Sequence, residues 1–354
     1  MILGPSYLGV DIGTTSIKIV EISSGRNKPK FVNYSLLEDL GYLERPNTAL
    51  QTSTLKLFEK EIIKHIQLMV KRASFRSNNV VASLPFFSAF TTIIEMPLMS
   101  DEELEIALGF KARQYIPLPI SAITLDWIKV GEKENGDGQK RQQIFLIAIT
   151  NEQIEKYKRI FSSAGLNLTA LEIEGVSLAR ALTIGIDDAV LIVDIGARST
   201  NLSIARNGVL QLISQTDFAS ASLTHAIASG LGINSQRAED LKKQRGLLDV
   251  GIGPEQELST LMKPILDVTI NEVRKLRENY KNTYHQEVKS VVLTGGGAQL
   301  LGVEDYFGDE LKLPVSKANP FLGLSYDLKT NAFVNSLGVL LPVAIGASLK
   351  NLKP

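Results

Sequence analysis

Leu8-Gly9-Val10-Asp11-Ile12-Gly13 and Leu191-Ile192-Val193-Asp194-Ile195-Gly196 are two versions of one pattern, set 183 residues apart. In each, an apolar run reads as a buried strand ending on an aspartate, with a glycine two residues later. A hydroxyl-rich turn follows, Thr14-Thr15-Ser16 or Ala197-Arg198-Ser199-Thr200. Alternating residues then read as a second strand, Ile17, Ile19 and Ile22 in the first copy and Leu202 and Ile204 in the second. A repeated strand-turn-strand implies duplicated lobes. The length agrees, because 354 residues are too many for one ordinary core and favour two α/β lobes with a cleft between them.

Several functional classes are disfavoured by composition. Lys plus Arg equals Asp plus Glu at 38 each, so no global positive field gathers nucleic acid or anionic lipid. Cysteine is absent, which removes thiolate catalysis, cysteine-type zinc sites and disulfides, and fits a reducing compartment. The three histidines, His65, His225 and His285, are scattered singly in helical-looking stretches and read as structural. Met1 to Val10 lacks the basic-then-apolar pattern of a secretory signal, and no apolar run approaches the roughly 20 residues of a membrane span.

Between the two hairpins, Thr54 to Phe75 carries Leu57, Ile62, Ile63, Ile66 and Val70 at helical spacing. Val80 to Leu84 and Thr91 to Met96 read as strands, and Ser100 with Glu103 forms a capping box before a helix that runs toward Tyr115. Two more strands, Ala122 to Val130 and Gln143 to Ile149, flank an exposed loop from Gly131 to Lys140, and a helix from Asn151 to Ala164 follows. Residues 80–165 are therefore expected to form a β-β-α-β-β-α insertion hung on the first lobe. In the second half, Ala219 to Ser229, Ser235 to Gly246 and Pro254 to Lys281 read as helices, and Ser290 to Thr294 as a strand. Asn335 to Leu349 reads as a final helix despite Pro342, returning to the first lobe.

The chemistry of the hairpins points to a metal-bound polyphosphate. A glycine beside a strand-end aspartate lets backbone approach an anion, so amides of Gly13 to Ser16 and of Gly196 to Ser199 are expected to cradle phosphates from opposite sides. Thr14, Thr15, Ser199 and Thr200 add hydroxyl donors, and Asp11 and Asp194 approach magnesium, directly or through its waters. Val292-Leu293-Thr294 opens into Gly295-Gly296-Gly297-Ala298, a platform for a base and ribose. Lys18 either points to phosphate or stands as a solvated lysine.

In this order the motifs resemble the superfamily of actin, Hsp70 and sugar kinases, and within it the branch of FtsA and the type IV pilus PilM family. Phosphate-one matches residues 11–18, phosphate-two 194–200, adenosine 295–298 and connect-two 338–347. Gln114-Tyr115-Ile116-Pro117-Leu118-Pro119, with Leu125-Asp126-Trp127 after it, resembles the PilM family specifically. The resemblance implies an actin-like, ribonuclease H-like duplicated fold of two lobes with an FtsA-type inserted 1C subdomain. Its expected parts are 1–79, 166–187 and 335–354 for lobe I, 80–165 for the insertion, 188–230 and 284–334 for lobe II, and 231–283 for subdomain 2B.

ATP and Mg2+ are the implied ligands, with weak hydrolysis at most. Glu239 and Lys242 resemble the Glu-x-x-Lys helix that contacts ribose and adenine, or they are a helix charge pair. Glu174 falls where relatives orient the attacking water, with Glu172 as its nearest rival. Arg198 stands where many relatives have glycine, so the turn either keeps its distance from phosphate or adds a guanidinium contact. The partner that the resemblance implies is the cytoplasmic N-terminal peptide of PilN, caught in extended form near the insertion, with other pilus platform proteins beside it and self-association left open. Such a chain works in the cytoplasm and meets the inner membrane only through its partners. Two competing readings use the same hairpins. A sugar-type kinase needs a carboxylate base, for which Asp126 is the nominee, and an FtsA-like filament needs a basic amphipathic tail, which Asn351-Leu352-Lys353-Pro354 does not supply.

Overall fold

The structure, a computed structural model, describes residues 4–38, 59–134, 140–248 and 254–352. The chain begins with β1 (Ser6–Ile12), β2 (Ser16–Ser23), β3 (Lys30–Glu38), α1 (Glu59–Ala73) and β4 (Asn79–Leu84). Then come β5 (Ala89–Pro97), α2 (Asp101–Lys111), β6 (Ile123–Glu134), β7 (Lys140–Thr150) and α3 (Asn151–Ser163). Next, β8 (Asn167–Ile173) and α4 (Glu174–Thr183) lead into β9 (Ala189–Ile195), β10 (Thr200–Arg206) and β11 (Val209–Thr216). Helices α5 (Ser220–Leu231), α6 (Ser235–Arg245) and α7 (Pro254–Tyr284) precede β12 (Val288–Thr294), α8 (Val303–Leu311) and β13 (Val315–Lys317). Last are α9 (Leu328–Asn331), α10 (Val334–Leu340) and α11 (Pro342–Leu349).

Two five-stranded sheets share one topology, β3-β2-β1-β4-β8 and β11-β10-β9-β12-β13. In each, the strand bearing the aspartate pairs antiparallel with its hairpin partner and parallel with the strand on its other side. Such central strands are covered on both faces, which is why they read as nearly unbroken apolar runs. In β1, Leu8, Val10 and Ile12 join the first-lobe core, while Gly9 faces α11 so closely that a Cβ would fall 1.8 Å from the Ala344 carbonyl. In the second lobe, Leu191 and Val193 of β9 pack with Met262, Leu266 and Ile270 of α7.

The insertion is a three-stranded antiparallel sheet, β5-β7-β6, with α2 against it and a core of its own built on Ile94, Leu104, Leu108, Ile144 and Leu146. Ser100 caps α2 in the expected capping box. The expected span of 80–165 is too wide at both ends. β4 sits between β1 and β8 in the lobe I sheet, and Tyr157, Ile160 and Phe161 of α3 are buried in the lobe I core. Short apolar strands look alike in sequence whichever sheet they join, so pairing partners alone decide.

Three further expectations change. Among the described residues, 231–283 show no core separate from lobe II, because α7 packs directly on the second sheet. Phe321 and Leu324, expected in lobe II, pack with Val20, Ile22 and Phe31 of lobe I. The final segment is two helices rather than one, broken at Leu341, with Pro342 at the first turn of α11 where its missing N–H costs nothing. In α1, Ile62 and Ile66 face the core as read, whereas Leu57 lies outside the described residues, as do residues 135–139 of the expected loop.

Candidate functional site

The hairpins place their aspartates by register. Asp11 on β1 lies directly opposite Lys18 on β2, and Asp194 on β9 directly opposite Asn201 on β10, so each pair shares one face of its sheet. The turns are closed by Gly13 N–H donating to the Ser16 carbonyl at 2.9 Å and Gly196 N–H donating to the Ser199 carbonyl at 3.0 Å. A Cβ would sit 3.2 Å and 2.8 Å from those same carbonyl oxygens, so glycine is what allows each turn to fold this tightly. The N-terminus of α5 braces the second turn, with Ser220 and Ala221 N–H groups donating to the carbonyls of Gly196 and Ala197.

A cleft of about 310 Å³ lies between the lobes. Asp11, Gly13, Thr14, Thr15, Ser16, Lys18 and Glu174 line it from lobe I. Asp194, Gly196, Ala197, Arg198, Ser199, Glu239 and Gly295 to Gly297 line it from lobe II. At its floor Lys18 Nζ is 2.8 Å from Asp11 Oδ2. Burial alone would lower the Lys18 pKa, but Asp11, then Asp194 and Glu174, more than offset this and hold the ammonium above its ordinary range. Burial pushes the Asp194 carboxyl up to about 6, with Lys18 opposing. The Glu174 carboxyl is pushed well above the usual range, chiefly by burial and then by Asp11 and Asp194. Such a cluster of confined negative charge is a cation-seeking environment.

Not every expected residue reaches the cleft. Thr200 is buried, and its hydroxyl donates to the Phe218 carbonyl at 2.7 Å. Ala298 is packed in the lobe II core, and Gln299 takes the lining position. Lys242 is buried beneath α5, pairing with Glu239 at 2.6 Å and donating to the hydroxyls of Ser220 and Thr224, both at 2.8 Å. Its neighbour Lys243 lines the cleft and also pairs with Glu239, at 3.4 Å. Burial works against the Glu239 charge, yet Lys242, Thr224 and Lys243 hold its carboxyl below the usual range. The amides of Gly13 and Gly196, expected among the anion donors, are spent on closing the turns, which leaves the tip amides for that role. Glu172 lies elsewhere, bound by Arg180 at 2.6 Å and Lys350 at 3.1 Å. Asp126 is also away from the cleft, its carboxylate accepting the Trp127 N–H.

Other lining residues were not read from the sequence. Asn201 donates from Nδ2 to Glu174 Oε2 at 3.0 Å, while its Oδ1 is buried with no partner. The signal was present, because Asn201 follows Asp194 by the same interval as Lys18 follows Asp11. Pro85, Phe86 and Phe87, the turn after β4, also line the cleft. Nothing local distinguishes that turn, and only the parallel pairing of β4 beside β1 carries it there.

The donor set fits a magnesium nucleotide. Among the described residues no three His, Asp or Glu side chains are arranged as a protein metal cage. Two aspartates with an unpartnered amide oxygen nearby suit a hard cation that keeps waters and takes its remaining ligands from phosphate. Gly295, at φ +83°, brings the backbone against Asp194, where a Cβ would fall 2.5 Å from Oδ1. A Cβ on Gly296 would meet nothing within 4 Å, so that glycine borders open cleft where a base needs room.

A second cavity, of about 330 Å³, lies between the insertion and lobe I. Trp127, Ile128 and Ile147 line one side, and Leu171, Glu172 and Arg180 the other. It is bounded by β6 and β8, each the outer strand of its sheet.

Two sheets of one topology facing across a cleft with paired strand-end aspartates define the actin-like class of proteins. Solved structures agree on the fold. The chain is 16% identical to MreB5 of Spiroplasma citri bound to AMPPNP, covering 98% of this chain and 96% of that one with a TM-score of 0.57. It is 17% identical to the ethanolamine utilization protein EutJ from Carboxydothermus hydrogenoformans, with coverages of 98% and 89% and a TM-score of 0.56. A structure described as the PilM-PilN type IV pilus biogenesis complex matches at 23% identity, 98% and 99% coverage and a TM-score of 0.79. The profile of the type IV pilus assembly protein PilM family matches residues 9–351, and the chain belongs to that family.

Proposed function

We propose that this chain is an ATP-binding component of the type IV pilus assembly platform that captures the N-terminal cytoplasmic peptide of PilN. ATP with magnesium sits between the lobes. Asp11 and Asp194 approach the metal, the tips of the two turns hold phosphate, and Gly295 to Gly297 with Glu239 and Lys243 seat the nucleoside. Magnesium supplies charge neutralisation of the phosphates, while Lys18 and Glu174 set the polarity of the floor. The convergence of both aspartate hairpins on one cleft carries this half of the reading. Arg198, which lines the same cleft, is assigned to phosphate contact. Asp126, the nominee for a kinase base, lines the other cavity instead.

The peptide half rests on the groove between β6 and β8. Edge strands offer unpaired backbone groups to an extended segment, and the apolar walls around Trp127 and Ile147 accept alternate side chains. A relative whose structure is described as a PilM-PilN complex supports the choice of occupant. Among the described residues no helix is long and apolar enough to cross a membrane, which suits a cytoplasmic protein recruited to the inner face of the inner membrane through that partner. Trp127 is the sole tryptophan of the chain and lines this groove, so its fluorescence reports occupancy. Titration with a synthetic N-terminal PilN peptide is expected to give a saturable change in emission, and Ile147→Glu in the groove wall to abolish it. A flat titration for the parent protein rules the groove out as the peptide site.

A further inference from the structure

Helix α2 of the insertion has two apolar faces, and the fold uses one of them. Leu104, Leu108 and Ala112 pack with Ile94, Ile144 and Leu146 of the inserted sheet. On the opposite side, one turn apart, Ile106 is 68% exposed and Phe110 69% exposed. Apolar residues scattered over a surface need no explanation, whereas neighbours on one helix stripe form a patch. Leu98, just before the helix, and Tyr115 and Leu118, in the motif just after it, are exposed as well.

Gly109 lies on the same stripe. A Cβ there would meet nothing within 4 Å, so no contact within the chain requires glycine at this place. Glycine weakens a helix interior relative to alanine, and what it offers in return is room for a second backbone to come close.

The stripe ends in opposite charges. Glu102 stands one turn before Ile106, and Arg113 one turn after Gly109 and Phe110, in the short 3-10 turn that continues α2. Both are exposed, and among the described residues neither has an ion-pair partner, whereas Asp101 beside them is held by Lys129 at 2.6 Å. The helix dipole accounts for an acid at the first turn and a base at the last. It does not account for the two apolar side chains and the glycine between them.

A stripe that runs acid, apolar, base is complementary to its own reverse. Across a two-fold axis at its middle, Ile106 of each copy meets Phe110 of the other, Glu102 of each meets Arg113 of the other, and Gly109 lies near the crossing point. A parallel arrangement sets Glu102 against Glu102 and is disfavoured by charge. We propose that this face of α2 docks a second copy of the chain, antiparallel, joining two molecules through their insertions. Phe145 and Ile147, on the other face of the inserted sheet, are the side chains that turn toward lobe I, so the pairing leaves the groove uncovered. It is independent of what occupies the groove or the cleft.

Analytical ultracentrifugation of the full chain tests the proposal. A reversible equilibrium between monomer and dimer is expected between about 1 and about 200 μM. Phe110→Glu is expected to raise the dimer Kd at least about thirtyfold while the melting temperature stays within about two degrees. Glu102→Arg and Arg113→Glu are each expected to raise it about tenfold, because each places like charges together at both ends of the pair. Mixing these two variants, one of them fluorescently labelled, is expected to give a heterodimer within about threefold of the parent Kd, since every end contact then joins opposite charges. A parent that stays monomeric at about 200 μM overturns the pairing. If that monomer floats with phosphatidylglycerol vesicles and Phe110→Glu does not, the face belongs to the membrane; if neither floats, it is left for a different protein. A dimer that survives Phe110→Glu unchanged has its interface elsewhere and also overturns the proposal. Charge variants that fail to combine when mixed overturn the antiparallel register.

Discussion

At the floor of the cleft, one ammonium and three carboxylates, those of Lys18, Asp11, Asp194 and Glu174, interact with one another. A carboxyl whose pKa rises on folding favours its protonated form there. Its stabilising contribution is complete below the unfolded value, 3.8 for Asp194, and disappears as pH climbs through about 6. Asp194→Asn, tested without nucleotide, is therefore expected to melt a few degrees above the parent at pH 7.5. That corresponds to roughly 1–2 kcal/mol once partial solvent access is discounted. The difference is expected to vanish below about pH 4, and thermal melts across this window check it. Gly296 offers a cleaner steric probe, since its Cβ direction is open. Gly296→Val is expected to leave the melting temperature within a degree or two, yet weaken ATP binding at least about tenfold, or about 1.4 kcal/mol, by filling the nucleoside seat.

Much of this residue-level picture was legible, and for a physical reason. Phosphate and metal require a short-range signature, aspartate then glycine at a strand end, and the duplication prints it twice. Lys18 lies within the first hairpin itself, whereas Glu174 and Glu239 were named only through the resemblance to the actin-like superfamily. Thr200, Ala298 and Lys242 could not be excluded, because a one-residue difference in facing decides whether a side chain enters the cleft or the core. Asn201 was overlooked because the two copies carry different chemistry, lysine in one and asparagine in the other, at the same place in the hairpin.

Among the elements, α4 and α11 pack closely against each other in lobe I. The Gly346 backbone meets the Ser177 carbonyl, leaving only 1.9 Å for a Cβ, and Arg180 of α4 reaches across to the Gly346 carbonyl at 2.7 Å. The same guanidinium holds the buried Glu172 carboxylate through two nitrogens, at 2.6 and 3.0 Å. Removing it leaves a carboxylate that is only 4% exposed with Lys350 as its remaining cation. Arg180→Ala is expected to destabilise by about 3 kcal/mol, read as a lower urea midpoint at unchanged slope. An unchanged midpoint means that the helices do not depend on this pair. The pairing of these elements is hard to read in sequence, because α11 resembles any apolar helix until Gly9 and Gly346 are seen to mark its close neighbours. Strands and helices with explicit punctuation, such as Ser100 and Glu103 before α2, were placed closely.

At the scale of the whole molecule, two copies of one sheet topology create a cleft, and an inserted sheet set against lobe I creates a groove beside it. The duplication was visible from the paired hairpins. The true limits of the insertion were not, because β4 and α3 join lobe I by pairing and packing that no local pattern announces. What the molecule does depends first on whether the paired turns close on a single magnesium nucleotide. Calorimetric titration of ATP into the parent chain and into Asp194→Ala, each with magnesium and with EDTA, decides this. One binding site per chain is expected for the parent, dependent on magnesium and lost in the variant while its circular dichroism stays unchanged. Equal affinity in parent and variant, or binding to the parent that is indifferent to magnesium, contradicts a shared metal between the two turns.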